Sequence, residues 1–521
     1  MKYNNNESGR IENIVILGGG TSGWTAALKF ARKLNQTSEK ICNITLIESP
    51  DMPTVGVGEA TVPQMKQELI SMDFDEYKWM RACSATFKLG VKFVNWSGRE
   101  GFDSFSTAFG PMTTPLPGCS VTIPDYMLLQ HARGERTDFP QDFRTQDHLV
   151  NTNRSPKSLN AGPYQSEAGY AYHLDAFLHA ELCKKAATRA GVRHVADTMT
   201  NVLQDENGFI TALETKENGA IEGDLFIDCS GFRGLLINEA MAEPFKSFSS
   251  SLLCDSAVVV KVPRSEAQGH YNSFTQATAL GSGWVWEIPL MDHISYGYVY
   301  SGKFISKEEA EQELADYLGD RIGSQSCRHI RIRTGKTRNS WVKNCVAIGL
   351  ADGFIEPLES TGLALMHNEI NCLLDYFPSK DFSPVLQKSY NKRITDFYES
   401  VLNFIAVHYC VTNREDTLFW RANKYDLEIP ESLQEIIDNW NAGRISTSIS
   451  AQSPVAGFFQ IFTYARCFYG VGYFPDQIPE LLHHIDSKFH EQRMRQHYLI
   501  MKKQASEFPS HYEFLAKLYG R

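Results

Sequence analysis

Gly18-Gly19-Gly20-Thr21-Ser22-Gly23 lies between a short apolar run, 11–17, and a segment with Ala27, Leu28, Ala31 and Leu34 at helical spacing. The order is strand, glycine turn, helix, and the six residues fit GxGxxG. Glycines there permit a tight turn and a close backbone approach, and the helix N-terminus faces a pyrophosphate. A glycine-rich turn alone would say little. Here a second apolar run, 41–47, ends in Glu48, whose carboxylate can accept hydrogen bonds from a ribose hydroxyl. That favours FAD or NAD over NADP. Gly18, Gly20, Thr21, Ser22, Gly23 and Glu48 are therefore assigned to a dinucleotide.

Two later strands end in small residues. The run 225–227 closes in Asp228-Cys229-Ser230-Gly231, and 346–352 reads Val-Ala-Ile-Gly-Leu-Ala-Asp, with a helix expected after Gly362. Both would lie close to a long cofactor spread across the sheet, which points to FAD. The fold class expected is α/β (α+β).

The chain has 521 residues, enough for two or three lobes. Hydrophobic residues make up 42% and charged residues 21%, an ordinary globular balance. The net charge of −10 comes with no basic stretch, so no nucleic-acid partner is expected. The N-terminal residues have no apolar core, and runs such as 257–260 are too short for a bilayer. No membrane association is expected. Eleven scattered cysteines without a CxxC pair fit a reducing cytoplasm and no metal.

Residues 87–96 alternate, with Phe87, Leu89, Val91 and Phe93 on one face and Lys88, Gly90, Lys92 and Val94 on the other. That period predicts one strand. The stretch 98–165 is rich in Pro, Gly, Ser and Thr and reads as an irregular functional loop or lid. Residues 174–190 predict a helix, 208–216 short strands, 252–300 a separate sheet, and everything beyond about 369 a mainly helical region.

Within this frame the sequence resembles the flavin-dependent tryptophan halogenase family. GGGTSGW at 18–24 begins the likeness. Gly283-Trp284-Val285-Trp286-Glu287-Ile288-Pro289 carries WxWxIP, and Glu356-Pro357-Leu358-Glu359-Ser360-Thr361-Gly362 carries PLESTG. Residues 87–96 resemble the strand bearing the family's lysine, and 57–63 its flavin-contacting loop. The resemblance runs in matching order from about 11 to beyond 420. It implies a FAD-binding Rossmann-like domain of the aromatic monooxygenase type over 1–375, with β-sheet substrate regions inserted at about 85–170 and 245–335. A helical C-terminal lobe over 376–521 completes the substrate site.

The resemblance also implies the chemistry. Reduced FAD and O2 convert a halide ion to hypohalous acid, which travels through the protein to a separate aromatic substrate. Lys88 aligns with the lysine that holds the halogen. Glu359 aligns with the glutamate that assists proton loss, and Ser360 follows it in the catalytic segment. Thr361 and Gly362 align with the halide pair. Ser49, Val57, Ala60, Met199, Leu350 and Leu363 fall at flavin positions. Trp284 and Trp286 would separate flavin from substrate, and Phe109 and Tyr464 would contact the ring. A separate flavin reductase is implied as partner, and a homo-oligomer is a family-level expectation. Taken alone, Lys88 reads as an exposed strand lysine, Glu359 as a charge at a helix N-terminus and the tryptophans as core.

The substrate end departs from the family. Free-tryptophan halogenases clamp the amino acid backbone with a tyrosine pair and a glutamate. In the comparable stretch 453–474, Tyr464 is followed by Ala465, and no glutamate occurs. Thr107 replaces the histidine two residues before Phe109. A desolvated zwitterion needs paired charges, so the expected substrate is indole, a substituted indole or another electron-rich ring. Two other functions carry the same FAD lobe: a single-component aromatic monooxygenase, and a non-enzymatic flavin-binding redox sensor. Neither calls for Lys88, WxWxIP and PLESTG together.

Overall fold

Ile14, Val15, Ile16 and Leu17 are all buried in strand Asn13–Leu17. Apolar residues on both faces mark a strand covered on both sides. It pairs in parallel with Asn43–Glu48 on one side and Leu225–Asp228 on the other. The full sheet runs Trp341–Val342, Cys345–Ala347, Leu225–Asp228, Asn13–Leu17, Asn43–Glu48, Arg193–Ala196. The chain leaves the central strand to one side and later returns on the other. This reversal opens a crevice at the strands' carboxyl ends, where α/β sheets bind ligands. The computed structural model describes residues 9–35, 41–51, 58–110, 122–134, 143–264, 271–443, 458–459 and 461–521.

Helix Thr21–Leu34 begins on the glycine turn, as its spacing predicts, but every residue from Gly23 to Ala31 is buried. Helices Ala176–Arg189 and Gly362–Asp375 pack against it. Even Lys29 is covered, and it pairs with Glu68 and Asn371.

The expected separate sheet exists and is larger than 252–300. Its seven strands run Arg328–Arg331, Ser256–Pro263, His293–Tyr300, Gly283–Pro289, Thr275–Ala279, Gly90–Val94, Ser104–Ala108. A small sheet joins Gly58–Ala60, Ala171–Asp175 and Thr86–Lys88.

The single strand expected over 87–96 is therefore two, in different sheets. The Leu89 N–H turns to Ser273 O at 2.7 Å. At Gly90 a Cβ would stand 2.6 Å from Ala108 Cα, so only glycine lets the next strand approach. Alternation reports a pleat and not which neighbour each half will pair with. Lys92 thus leaves the face of Lys88, and its ammonium lies 5.7 Å from the Phe274 ring.

The irregular reading of 98–165 also needs correction. It holds strand Ser104–Ala108 and helices Ile123–Ala132 and Thr145–Asn151. Helix Ile123–Ala132 buries residues around most of its circumference and so shows no stripe, although Thr122 and Asp125 form a capping box. Residues 111–121 and 135–142 lie outside the described residues.

Beyond Gly362 the described residues are mainly helical, as expected. Helix Pro384–Cys410 is buried almost continuously from Tyr398 to Tyr409. One apolar cluster includes both Ile11 and Leu515, so the sheets and the C-terminal helices share a core. Among the described residues no helix is long and apolar enough to cross a membrane.

Candidate active site

The turn at 18–23 is built for close backbone approach. Gly18 has φ +113°, and a Cβ on it would stand 2.2 Å from Cys229 O; one on Gly23 would stand 1.9 Å from Gly18 O. Gly20 meets nothing within 4 Å, and no side chain caps the helix that follows. Its first N–H groups are thus open to an anion. Gly349 closes on Ser22, where a Cβ would meet the Ser22 hydroxyl at 2.1 Å. Thr21 Oγ1 donates to Ala176 O at 3.4 Å. Ala60 and Leu363 are buried, while Leu350 is 39% exposed, a large apolar side chain held at the surface. Ser49 Oγ lies 2.8 Å from Thr198 Oγ1, next to the half-buried Met199. Val57 lies outside the described residues.

Glu48 ends the second strand as the sequence reading has it, but its carboxylate already pairs with Lys184 at 2.8 Å and His194 at 2.9 Å. These features fit a long dinucleotide. Gly23→Ala should therefore weaken FAD binding at least about tenfold, because Gly18 must move to admit the methyl. A flavin fluorescence titration measures it, and unchanged affinity would contradict the assignment.

A second open donor set sits at 360–362. The Ser360 and Thr361 hydroxyls are buried and have no hydrogen-bond partner. Ser360 has φ +63°, a strained backbone for a residue with a side chain. Helix Gly362–Asp375 starts without a side-chain cap, and a Cβ on Gly362 would meet nothing within 4 Å. Orphaned donors at a helix start form a concavity suited to a small anion.

Lys88 is fully buried, so the reading of an exposed lysine fails. The strand places its amine 2.9 Å from Thr61 O and 5.4 Å from the Phe109 ring centroid. Burial lowers its pKa from 10.5 to about 7, with Glu359 pulling the other way. Glu359 is buried too, and Thr107 Oγ1 donates to it at 3.1 Å. Thr107, expected only as a lost polar handle, is in fact a partner of the carboxylate. His408 Nε2 stands 3.3 Å from Oε1, the same Glu359 oxygen that Thr107 meets at 3.1 Å.

The sequence reading missed His408. Its signal was available: Val401 to Tyr409 reads VLNFIAVHY, and a polar residue inside an apolar helix needs a partner. Burial alone would lower the His408 pKa, but Cys467 and Glu359 raise it to about 10.

Trp284 and Trp286 lie on one face of their strand, opposite the small residues Ala277, Ala279 and Gly297. A Cβ at Gly297 would stand 2.1 Å from the Trp286 ring. Trp284 Nε1 donates to Glu356 at 2.9 Å, and Tyr409 OH donates to the same oxygen at 2.7 Å. Glu356, also missed, is pushed up to about 7 by burial. Residues 356–362 thus run past Trp284, the Thr107 and His408 contacts of Glu359 and the anion cradle in turn.

At the substrate end, the aromatic ring of Phe459 stacks on Phe404 at 4.1 Å, and Tyr464 meets Phe404 edge-on at 5.0 Å. The Tyr464 hydroxyl is buried and has no hydrogen-bond partner. Arg466, two residues on, donates to the carbonyls of Ser106 and Ala108 and to Asp147. Arg144 binds the same Asp147 and the carbonyls of Ala108 and Gly110. Both arginines are committed to holding strand Ser104–Ala108, which carries Thr107. Residues 453–457 and 460 of the clamp region lie outside the described residues.

The profile of the tryptophan halogenase family matches residues 13–487. The tryptophan 7-halogenase RebH of Lentzea aerocolonigenes is 36% identical over 546 residues, 99% of this chain and 100% of that one. The crystal structure of the tryptophan 6-halogenase SttH from Streptomyces toxytricini superposes with a TM-score of 0.88 at 34% identity, covering 98% of this chain and 100% of that one. Xcc4156, a flavin-dependent halogenase from Xanthomonas campestris, gives 0.88 at 32% identity over 98% of each chain. With the dinucleotide-type crevice and the buried Lys88 and Glu359 already in place, these likenesses settle the class: the chain belongs to the tryptophan halogenase family and is a flavin-dependent halogenase.

Proposed function

We propose that the protein halogenates indole or another electron-rich ring that lacks an amino acid moiety, with Lys88 receiving the halogen and Glu359 assisting proton loss. The observation that carries this reading is the fully buried Lys88 amine facing the Phe109 ring within electrostatic reach of Glu359. Reduced FAD, when bound, supplies with O2 the oxidising power that turns a halide ion and a proton into hypohalous acid, leaving FAD and water. Thr361 and Gly362 would hold the halide. The walls at Trp284 and Trp286 keep the organic substrate from the flavin.

With a pKa near 7, the Lys88 amine carries a lone pair at neutral pH. It either hydrogen-bonds the hypohalous acid or takes its halogen, releasing water. The ring, held on Phe109 and near Tyr464, attacks the halogen. The C–X bond forms as the N–X or O–X bond breaks, and the ring proton passes towards Glu359. FAD would come reduced from a separate flavin reductase.

The absence of a free cation–anion pair among the described residues 458–474 supports the choice of ring. With reduced FAD and bromide in excess, indole should be brominated at least about tenfold faster than free tryptophan, as desolvating an unclamped zwitterion costs more than 1.4 kcal/mol. Mass spectrometry of a competition mixture reads the ratio. Equal turnover of the two would overturn the substrate assignment.

A further inference from the structure

We propose that His408 is a positioning residue for halogenation: an imidazolium that holds Glu359 as a carboxylate beside the Lys88 amine. The inference rests on the roles of Lys88 and Glu359 given above. His408 Nδ1 lies 2.7 Å from Phe404 O. A carbonyl oxygen can only accept, so Nδ1 carries a proton. That directs Nε2 at Glu359 Oε1 across 3.3 Å. Were Nε2 bare, its partial negative charge would lie 3.3 Å from the carboxylate's in a buried site. A second proton on the ring removes the conflict and makes an ion pair. The angle is not that of an aligned hydrogen bond, so the interaction is chiefly one of charge.

The ring has little freedom to turn away. Phe93 stacks on it at 4.8 Å, and Trp96 and Phe404 meet it edge-on at 6.1 and 5.0 Å. The titratable groups around it are Glu359 and Glu356 from the segment before helix Gly362–Asp375, Cys467 from helix Ile461–Val471, and Lys88 through its interaction with Glu359. Cys467 and the carboxylates favour the charged ring; burial opposes it.

The consequence is a division of charge. A carboxylate already balanced by His408 needs no proton from Lys88, which leaves that amine free to be neutral. Thr107 supplies the remaining hydrogen bond. Without His408, the buried carboxylate would have one hydroxyl donor, and Lys88 would become its nearest counter-charge. Both changes raise the pH needed for a neutral lysine facing an ionised glutamate.

Two measurements test this on the full chain. In protein labelled with 13C-histidine, the His408 resonance, assigned by its loss in His408→Asn, should report an imidazolium at pH 7.5. It should become neutral at that pH in Glu359→Gln. A neutral His408 in the wild type would overturn the proposal without any bearing on whether the protein halogenates. In the second, His408→Asn and His408→Gln are compared with the wild type for bromination of indole between pH 6 and 9. The acid limb should move up by about one pH unit, with kcat down at least about tenfold at pH 7 and KM for indole within about threefold. A structural role would lower activity at every pH without moving the limb, and that outcome would contradict the proposal. Retained FAD affinity marks the variants as folded. If Glu359→Gln kept full halogenation, the reading of Glu359 would fail instead, and the resonance of His408 would still report its charge.

Discussion

Lys88→Met should lower aromatic halogenation by about a thousandfold and make the protein more stable. The loss follows from removing the group that presents the halogen, within the range such positioned groups contribute. The gain follows from burial. An amine taken wholly out of water with one carbonyl as its hydrogen-bond partner is a standing cost, and methionine fills nearly the same volume without it. The pH dependence is specific. The pKa of Lys88 is about 7 in the folded chain against 10.5 unfolded. Between these values the unfolded chain binds more protons, so the wild type gains stability as pH rises through that window. Below pH 7 the full penalty, on the order of 3–5 kcal/mol, is present. Thermal unfolding of the two proteins should differ most near pH 6.5, and the gap should close towards pH 10. A variant that is less stable at pH 6.5, or that still halogenates, would count against the role given to Lys88.

Glu359→Gln should cost about a hundredfold in kcat with little change in KM for indole, because the amide keeps the shape and the Thr107 contact but loses the charge. Proton loss from the halogenated ring then becomes slow enough to matter. Indole deuterated at the reacting carbon should show no primary isotope effect with the wild type and a clear one with the variant. Its absence in a slowed variant would place the glutamate's role elsewhere, in holding Lys88.

Much of this was legible in the sequence. The glycine turn, its strand and its helix are local, and short-range pattern reads them well. WxWxIP and PLESTG gave the residues around the site because both are continuous in the chain. What failed was long-range. Nothing in residues 87–96 tells that Lys88 pairs with Ala171 while Val91 pairs with Thr275 and Thr107. Helix Ile123–Ala132 hid because an enclosed helix has no polar face. His408, Glu356 and Arg466 escaped because their meaning depends on partners 49, 72 and 360 residues away. Arg466 illustrates the point: next to a missing tyrosine it looks like a surface cation, yet it is buried and binds the strand that carries Thr107.

The most direct test of the account is a single turnover of the wild-type chain. Chemically reduced FAD, bromide and indole are mixed without oxygen, air is admitted, and the products are resolved by mass spectrometry. Bromoindole is expected as the main product, and it should be lost when bromide is omitted. Hydroxylated indole, formed equally with or without bromide, would contradict this.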